Sequence, residues 1–178
     1  METTSNKNAA SIAVLSTGIG ILLIASFASL TNLDLANAQQ NKTLIQNNSI
    51  EEKNKALVLK AFDTLFNKRD YVAAERYWSP NYIQHSAHIE PGRDGLFTLV
   101  KNAPGTLRYE PGVIVADGDF VIVHGRFSGH GRPKSWIAAD ILRIVDGVLV
   151  EHWDVLQDEA SQAESKSGLP MFGGSFTE

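Results

Sequence analysis

Two acidic side chains and a histidine stand out in the last third of the chain. Asp140 sits in the run Trp136–Ile144 (WIAADILRI), and His152 and Asp154 in Val148–Leu156 (VLVEHWDVL). Both runs are rich in β-branched and aromatic residues, so both are predicted as strands, with Asp146-Gly147 as the hairpin turn between them. A carboxyl group set among Trp, Ala, Leu and Ile is poorly solvated. Desolvation disfavours its anion and raises its pKa, which suits a general acid or base near neutral pH. A neighbouring imidazole supplies a second proton-transfer group or holds the carboxylate in place. The plainer alternative is an Asp–His pair that only satisfies itself at a sheet edge.

Whether these side chains meet depends on the register of the hairpin, because a slip of one residue reverses every facing. A three-residue loop, Val145-Asp146-Gly147, gives the cleaner sheet. One face then carries Trp136, Ala138, Asp140, Leu142 and Ile144 opposite Val148, Val150, His152, Asp154 and Leu156, with Asp140 directly across from His152. The other face carries Arg143 and Glu151 as a diagonal pair, with Ile137, Ile141, Trp153 and Val155. A two-residue loop would bring Glu151 in among Asp140, Leu142 and Ile144, and is rejected on that ground.

Other residues join the candidate site with weaker support. His124 shares a strand face with Phe120 and Ile122 and is read as facing the cavity, with a satisfied core histidine as the commoner outcome. Tyr82 and Trp136, with Trp78, are candidate cavity walls, and Asp154 a candidate ligand contact. His85 and His88 stand three apart in an irregular segment. No HExxH and no third ligand accompany them, so no metal site is expected. His130, between two glycines, is read as solvated. GxSxG, P-loop and GxGxxG patterns are absent, so serine-esterase, nucleotide and hydride-transfer chemistry have no motif to rest on.

The elements that must position these groups follow from periodicity. Ser49-Ile50-Glu51-Glu52 matches a capping box, which predicts a helix to about Asn67 with Leu59, Phe62 and Phe66 on one face. Asp70 caps a short second helix (YVAAERYW), stopped by Ser79-Pro80. Asn81–His88 reads as a brief strand or loop. Asp94–Asn102 is a third helix with Leu96, Phe97 and Val100 inward. Beyond Leu107 the pattern is β throughout: Val113–Val115, Phe120–Phe127 and the two runs above, with Asp117-Gly118 a further turn and GHGRP (129–133) a looser connection. Helices followed by a meander of strands mean an α+β fold with an antiparallel sheet. Residues 159–178 are read as a flexible tail.

Composition sets outer bounds. The 178 residues carry a net charge of −4, are 43% hydrophobic, and include no cysteine. No basic footprint for nucleic acid is present, and disulfides and thiolate chemistry are excluded. Ile12–Leu30 is mostly apolar and is followed by Ala36-Asn37-Ala38. That order reads as a signal peptide over residues 1–38, cleaved after Ala38, followed by a polar linker over 39–48. The chain would then be secreted or extracytoplasmic. An uncleaved membrane anchor is the rival, because the apolar run is close to the roughly 20 residues that span a bilayer.

With these residues in place, the stretch Glu51–Gln157 resembles the SnoaL-like polyketide cyclase family, within the nuclear transport factor 2-like superfamily. The resemblance lies in NKALVLKAFDTLFNKRD, in YIQH and in ADILRIVDGVLVEHWDVLQ. It implies a cone-shaped curved sheet wrapped by three N-terminal helices over residues 49–158, with an apolar cavity inside. It implies cofactor-independent aldol-type chemistry in which Asp140 moves the proton and His152 assists, with His85 bordering the cavity.

Three functions compete. The first is an acid/base enzyme with no cofactor, acting next to the carbonyl of a small apolar substrate by cyclisation or isomerisation. The second is an extracytoplasmic binding protein for a small apolar ligand. The third is a non-catalytic dimerisation module. Ile137, Ile141, Trp153 and Val155 form an apolar outer face on which a homodimer is expected.

Overall fold

The computed structural model describes the backbone of residues 10–177 and the side chains from residue 32 onward. The proposed signal segment therefore lies largely outside the described residues. Among the described residues no helix is long and apolar enough to cross a membrane. The chain divides into two units, Met1–Gln46 and Asn47–Glu178.

The first helix, α1, is assigned as Ala10–Phe62. It runs through Ser49 and through 39–48, where a capping box and a mobile linker were expected. No glycine or proline occurs between Gly20 and Pro80, so nothing in the backbone obliges the helix to start at Ser49. Within the second unit α1 turns Val58, Ala61 and Phe62 into the core. It widens into a π turn over Asp63–Asn67, ending close to the predicted position. Asn67 then clamps the next layer in both directions: its Nδ2 donates to Tyr109 O at 3.0 Å, and its Oδ1 accepts from Tyr109 N at 2.8 Å.

Asp70 caps the short α2 (Tyr71–Ala74) by accepting from Ala73 N at 3.0 Å, as its position predicts. A 3-10 turn over Glu75–Tyr77 leads into β1 (Trp78–Gln84), which takes in Ser79-Pro80. Helix α3 (Gly92–Asn102) buries Leu96, Phe97 and Val100. Arg69 closes its C-terminal end by donating to Val100 O at 2.7 Å, Ala103 O at 3.0 Å and Pro104 O at 2.7 Å. The remaining strands are β2 (Arg108–Asp117), β3 (Phe120–Ser128), β4 (Trp136–Val145) and β5 (Val148–Asp158), in sheet order β1-β5-β4-β3-β2.

The α+β cone is therefore present, with one correction: β1 joins β5 in parallel, so the sheet is mixed. The meander is local and shows in the strand pattern, whereas β1 reaches its partner across two thirds of the domain.

The last hairpin also departs from the expected register. Its loop is two residues, Asp146 (φ 50°) and Gly147 (φ 75°), both left-handed as a tight hairpin turn requires. Ile144 pairs with Leu149, and the register then shifts, so that Arg143 pairs with Glu151, Leu142 with His152 and Asp140 with Asp154. Val150 is the extra residue of this bulge. One bulge residue reverses the facing that the shorter loop would have imposed, so the expected faces hold beyond it and change before it. Leu149, not Val148 or Val150, is the core residue next to Ile144.

The C-terminal tail, expected to be flexible, packs against the sheet. The Phe172 ring lies 5.6 Å from that of His124 and 5.0 Å from the Arg126 guanidinium, and Glu159 is buried beside Arg126.

Candidate functional site

The inner face of the sheet is apolar except where β1, β4 and β5 meet. There Asp140 is 3% exposed and His152 5%. Their side chains meet diagonally, with His152 Nε2 3.1 Å from Asp140 Oδ1. The other imidazole nitrogen, Nδ1, lies 2.8 Å from Gln84 Oε1. That Gln84 atom also accepts from the Ser86 backbone N–H at 2.9 Å, which identifies it as the amide oxygen. An oxygen that only accepts obliges Nδ1 to carry a proton. Nε2 then faces the carboxyl oxygen, and a hydrogen bond between them needs one further proton. Asp140 and His152 thus form a hydrogen-bonded pair buried from solvent.

Burial raises the Asp140 pKa above the usual carboxylate range. His152 opposes the shift and the Asp154 charge adds to it. The second oxygen, Oδ2, is buried without a hydrogen-bond partner, as are the Tyr109 hydroxyl and Trp78 Nε1. Burial also pushes the Tyr82 and Tyr109 phenols well above their ordinary range, with Asp140 contributing to both. Gly125 makes room for Tyr109, since a Cβ there would lie 2.6 Å from its hydroxyl oxygen.

A cavity of about 500 Å³ opens beside this cluster, walled by Phe66, Leu107, Phe127 and Leu156 from the core and by Trp136 at its rim. Asp154 belongs to its lining and Asp140 does not. The two are direct cross-strand partners. Asp154 therefore brings a carboxyl group into the cavity lining, with the Asp140–His152 pair next to it on the sheet.

The structure brings Asp140, His152, Asp154, Tyr82 and Trp136 to the inner side of the sheet and takes two candidates away from it. His85 Nε2 contacts Glu151 Oε1 at 2.9 Å, and its ring stacks on Trp153 at 4.8 Å, on the outer face where Arg143 also meets Glu151. Its neighbour Gln84 occupies the inner position that YIQH provides. His124 also points outward: the face it shares with Phe120 and Ile122 is the exposed one, and Val121 and Val123 fill the core. His130 is not solvated, because it stacks on Trp136 at 4.2 Å. Gln84 and Tyr109 had not been singled out. Alternation from Tyr82 would have reached Gln84; Tyr109 stood in a predicted strand region without a distinguishing signal. Among the described residues no group of three or more acidic or histidine side chains is arranged to hold a metal ion.

A SnoaL-like domain model matches residues 58–152, more than half of the chain; the match takes in Gln84, Asp140 and His152 and stops just before Asp154. The chain belongs to the SnoaL-like domain family. No curated protein matches it. Solved structures share the fold at low identity. A candidate ketosteroid isomerase from Kribbella flavida DSM 17836 aligns with a TM-score of 0.55 and 19% identity over 71% of this chain and 97% of its own. An NTF2-like protein of unknown function from Cytophaga hutchinsonii ATCC 33406 aligns with a TM-score of 0.51 and 14% identity, covering 58% and 89%. A candidate SnoaL-like polyketide cyclase from Jannaschia sp. CCS1 aligns with a TM-score of 0.51 and 20% identity, covering 61% and 88%. At these identities the likeness is one of fold.

Proposed function

We propose that this SnoaL-like protein is an acid/base enzyme that transfers a proton next to the carbonyl of a small apolar substrate, giving cyclisation or isomerisation without a cofactor. One observation carries the reading: a buried carboxyl group in contact with a histidine stands directly across from a second carboxyl group that lines a largely apolar cavity. Two adjacent carboxyls in unlike surroundings divide the acid and base roles between them. Asp154 is the member that meets the substrate: it takes the proton from the carbon beside the carbonyl, leaving an enolate, and returns it to carbon in an isomerisation or to the alkoxide formed by ring closure. Asp140, whose pKa burial raises against the opposing pull of His152, keeps a second negative charge from forming beside it. Gln84 fixes the imidazole that completes the pair. This moves the proton-abstracting role from Asp140, where the family resemblance put it, to Asp154, which was read as a ligand contact.

The same feature favours a second reading. A cavity that stops short of Asp140 also suits a binding protein in which the carboxyls only orient a ligand. Deuterium uptake at the α-carbon of small cyclic ketones in D₂O, followed by NMR with the full chain, separates the two. Enzyme-catalysed uptake is expected, with Asp154→Asn lowering it about 10²- to 10⁴-fold, the usual contribution of a general base. Asp140→Asn should lower it less. Ketone binding without any uptake would establish the binding protein.

A further inference from the structure

The rim of the cavity carries groups that the proton-transfer reading does not use. They come from the connection between β3 and β4, read from its glycines as loose. Gly129 (φ 64°) and Gly131 (φ 91°) are both left-handed. A Cβ at Gly129 would lie 2.1 Å from Thr106 O, and Thr106 Oγ1 donates to Gly129 O at 2.8 Å. Only glycine fits at 129, and the loop is fastened there to the segment that follows α3. The side chains it carries are thereby set over the rim.

His130 stacks on the Trp136 ring with centroids 4.2 Å apart and planes at 22°, and the Arg132 guanidinium carbon lies 5.0 Å from the same ring. Both line the cavity. Stacking occupies the face of a guanidinium and leaves its in-plane N–H groups for a planar acceptor. The neighbouring cations are already satisfied, Arg126 by Glu110 and Glu159, and Lys134 by Glu164. Among the described residues Arg132 makes no ion pair. Both ring nitrogens of His130 are buried without a hydrogen-bond partner. Burial, then the Arg132 charge, lowers the His130 pKa against the opposing Lys134 backbone and Asp158 charge, and an imidazole carries at least one N–H donor in either protonation state. Three acidic residues lie in the region. Glu90 and Asp158 are exposed, and Asp158 pairs across the sheet with Trp136 without bonding to Arg132. Asp154 lies deeper. Trp136 and Asp140 are four residues apart on β4, about 13 Å at the usual rise of a strand.

We propose that the cavity takes an amphiphilic small molecule whose carboxylate is held at the rim by Arg132 and His130, with its apolar body lying along Phe127, Leu107 and Leu156 toward Asp154. The inference rests on reading this cavity as the substrate pocket, and it adds an anionic end to a substrate otherwise defined as apolar.

Calorimetric titration of the full chain with octanoate, octan-1-ol and octylammonium tests it. Octanoate is expected to bind roughly tenfold or more tightly than octan-1-ol, the worth of a charge-assisted hydrogen bond. Arg132→Met should erase that preference and leave octan-1-ol unchanged, and His130→Phe should reduce it in part. Asp154→Asn should keep the preference while losing deuterium uptake. Failure of the catalytic reading alone would thus appear as selectivity without uptake. Equal binding of octanoate and octan-1-ol, tighter binding of octylammonium, a preference that survives Arg132→Met, or no binding of any of the three would overturn the proposal.

Discussion

At Asp140 the decisive quantity is where one proton resides. Because burial raises its pKa, the folded chain keeps a proton that the unfolded chain releases above about pH 4. The sign follows: this group's contribution to stability is complete below the unfolded value and declines as pH rises toward the folded one. Asp140→Asn cannot ionise, so its stability relative to the parent chain is expected to increase with pH from about 4 upward. Urea denaturation of both proteins across that range measures the difference. A difference that stays constant with pH would mean that Asp140 is ionised in the fold at an ordinary value. The amino-acid pattern made Asp140, His152 and Asp154 legible because a charged residue inside a β-branched run is conspicuous. It did not reveal which histidines face inward. His85 and His124 have the same chemistry as His152, and only the pairing of the strands separates them.

Among the elements, the hairpin shows why faces were legible and partners were not. Strand alternation has a period of two, so the loop length and the Val150 bulge together restore the facing beyond the bulge while moving the direct partners. Nothing local marks Val150 as the extra residue. The helix start was misjudged for a related reason: a capping box is permissive, and a chain without glycine or proline continues through it. The tail was misread because its anchor is distant in sequence. Gly112 makes room for that anchor, since a Cβ there would come within 2.9 Å of both Phe172 Cε2 and His124 O. Gly112→Val is expected to displace the tail and to destabilise the fold by about 1–3 kcal/mol through overpacking. Urea denaturation gives the magnitude, and limited proteolysis reports release of residues 159–178. An unchanged cleavage pattern would show that Phe172 is not what holds the tail.

At the scale of the whole molecule, the tail covers the outer sheet face around His124 and Arg126 and leaves apolar side chains exposed elsewhere on it. Val113, Val115, Phe120, Ile122 and Val155 are between 43% and 70% exposed across β2, β3 and β5. Ile137, expected to lie open on this face, is buried. Exposed apolar side chains gathered on one sheet face favour an interaction surface, and a second copy of the chain is the occupant we propose. Ile122→Lys is expected to convert a dimer in light scattering to a monomer with its fold intact, and a monomeric parent chain would remove the proposal. The α+β class was readable from the order of helical and strand periods. The mixed sheet was not, because β1 pairs in parallel with β5, about 70 residues further along the chain, and nothing local to β1 marks that partner.

The central claim, that a proton is held behind the carboxyl group that meets the substrate, has a direct spectroscopic test. Difference infrared spectroscopy of the full chain against Asp140→Asn at pH 7 should show the C=O stretch of one protonated carboxyl group, present in the parent and missing from the variant. The same band should persist in Asp154→Asn. A parent spectrum with only a carboxylate signal at Asp140 would contradict the account, because the carboxyl would then be an ordinary anion paired with a charged His152 and no proton would be held there for catalysis.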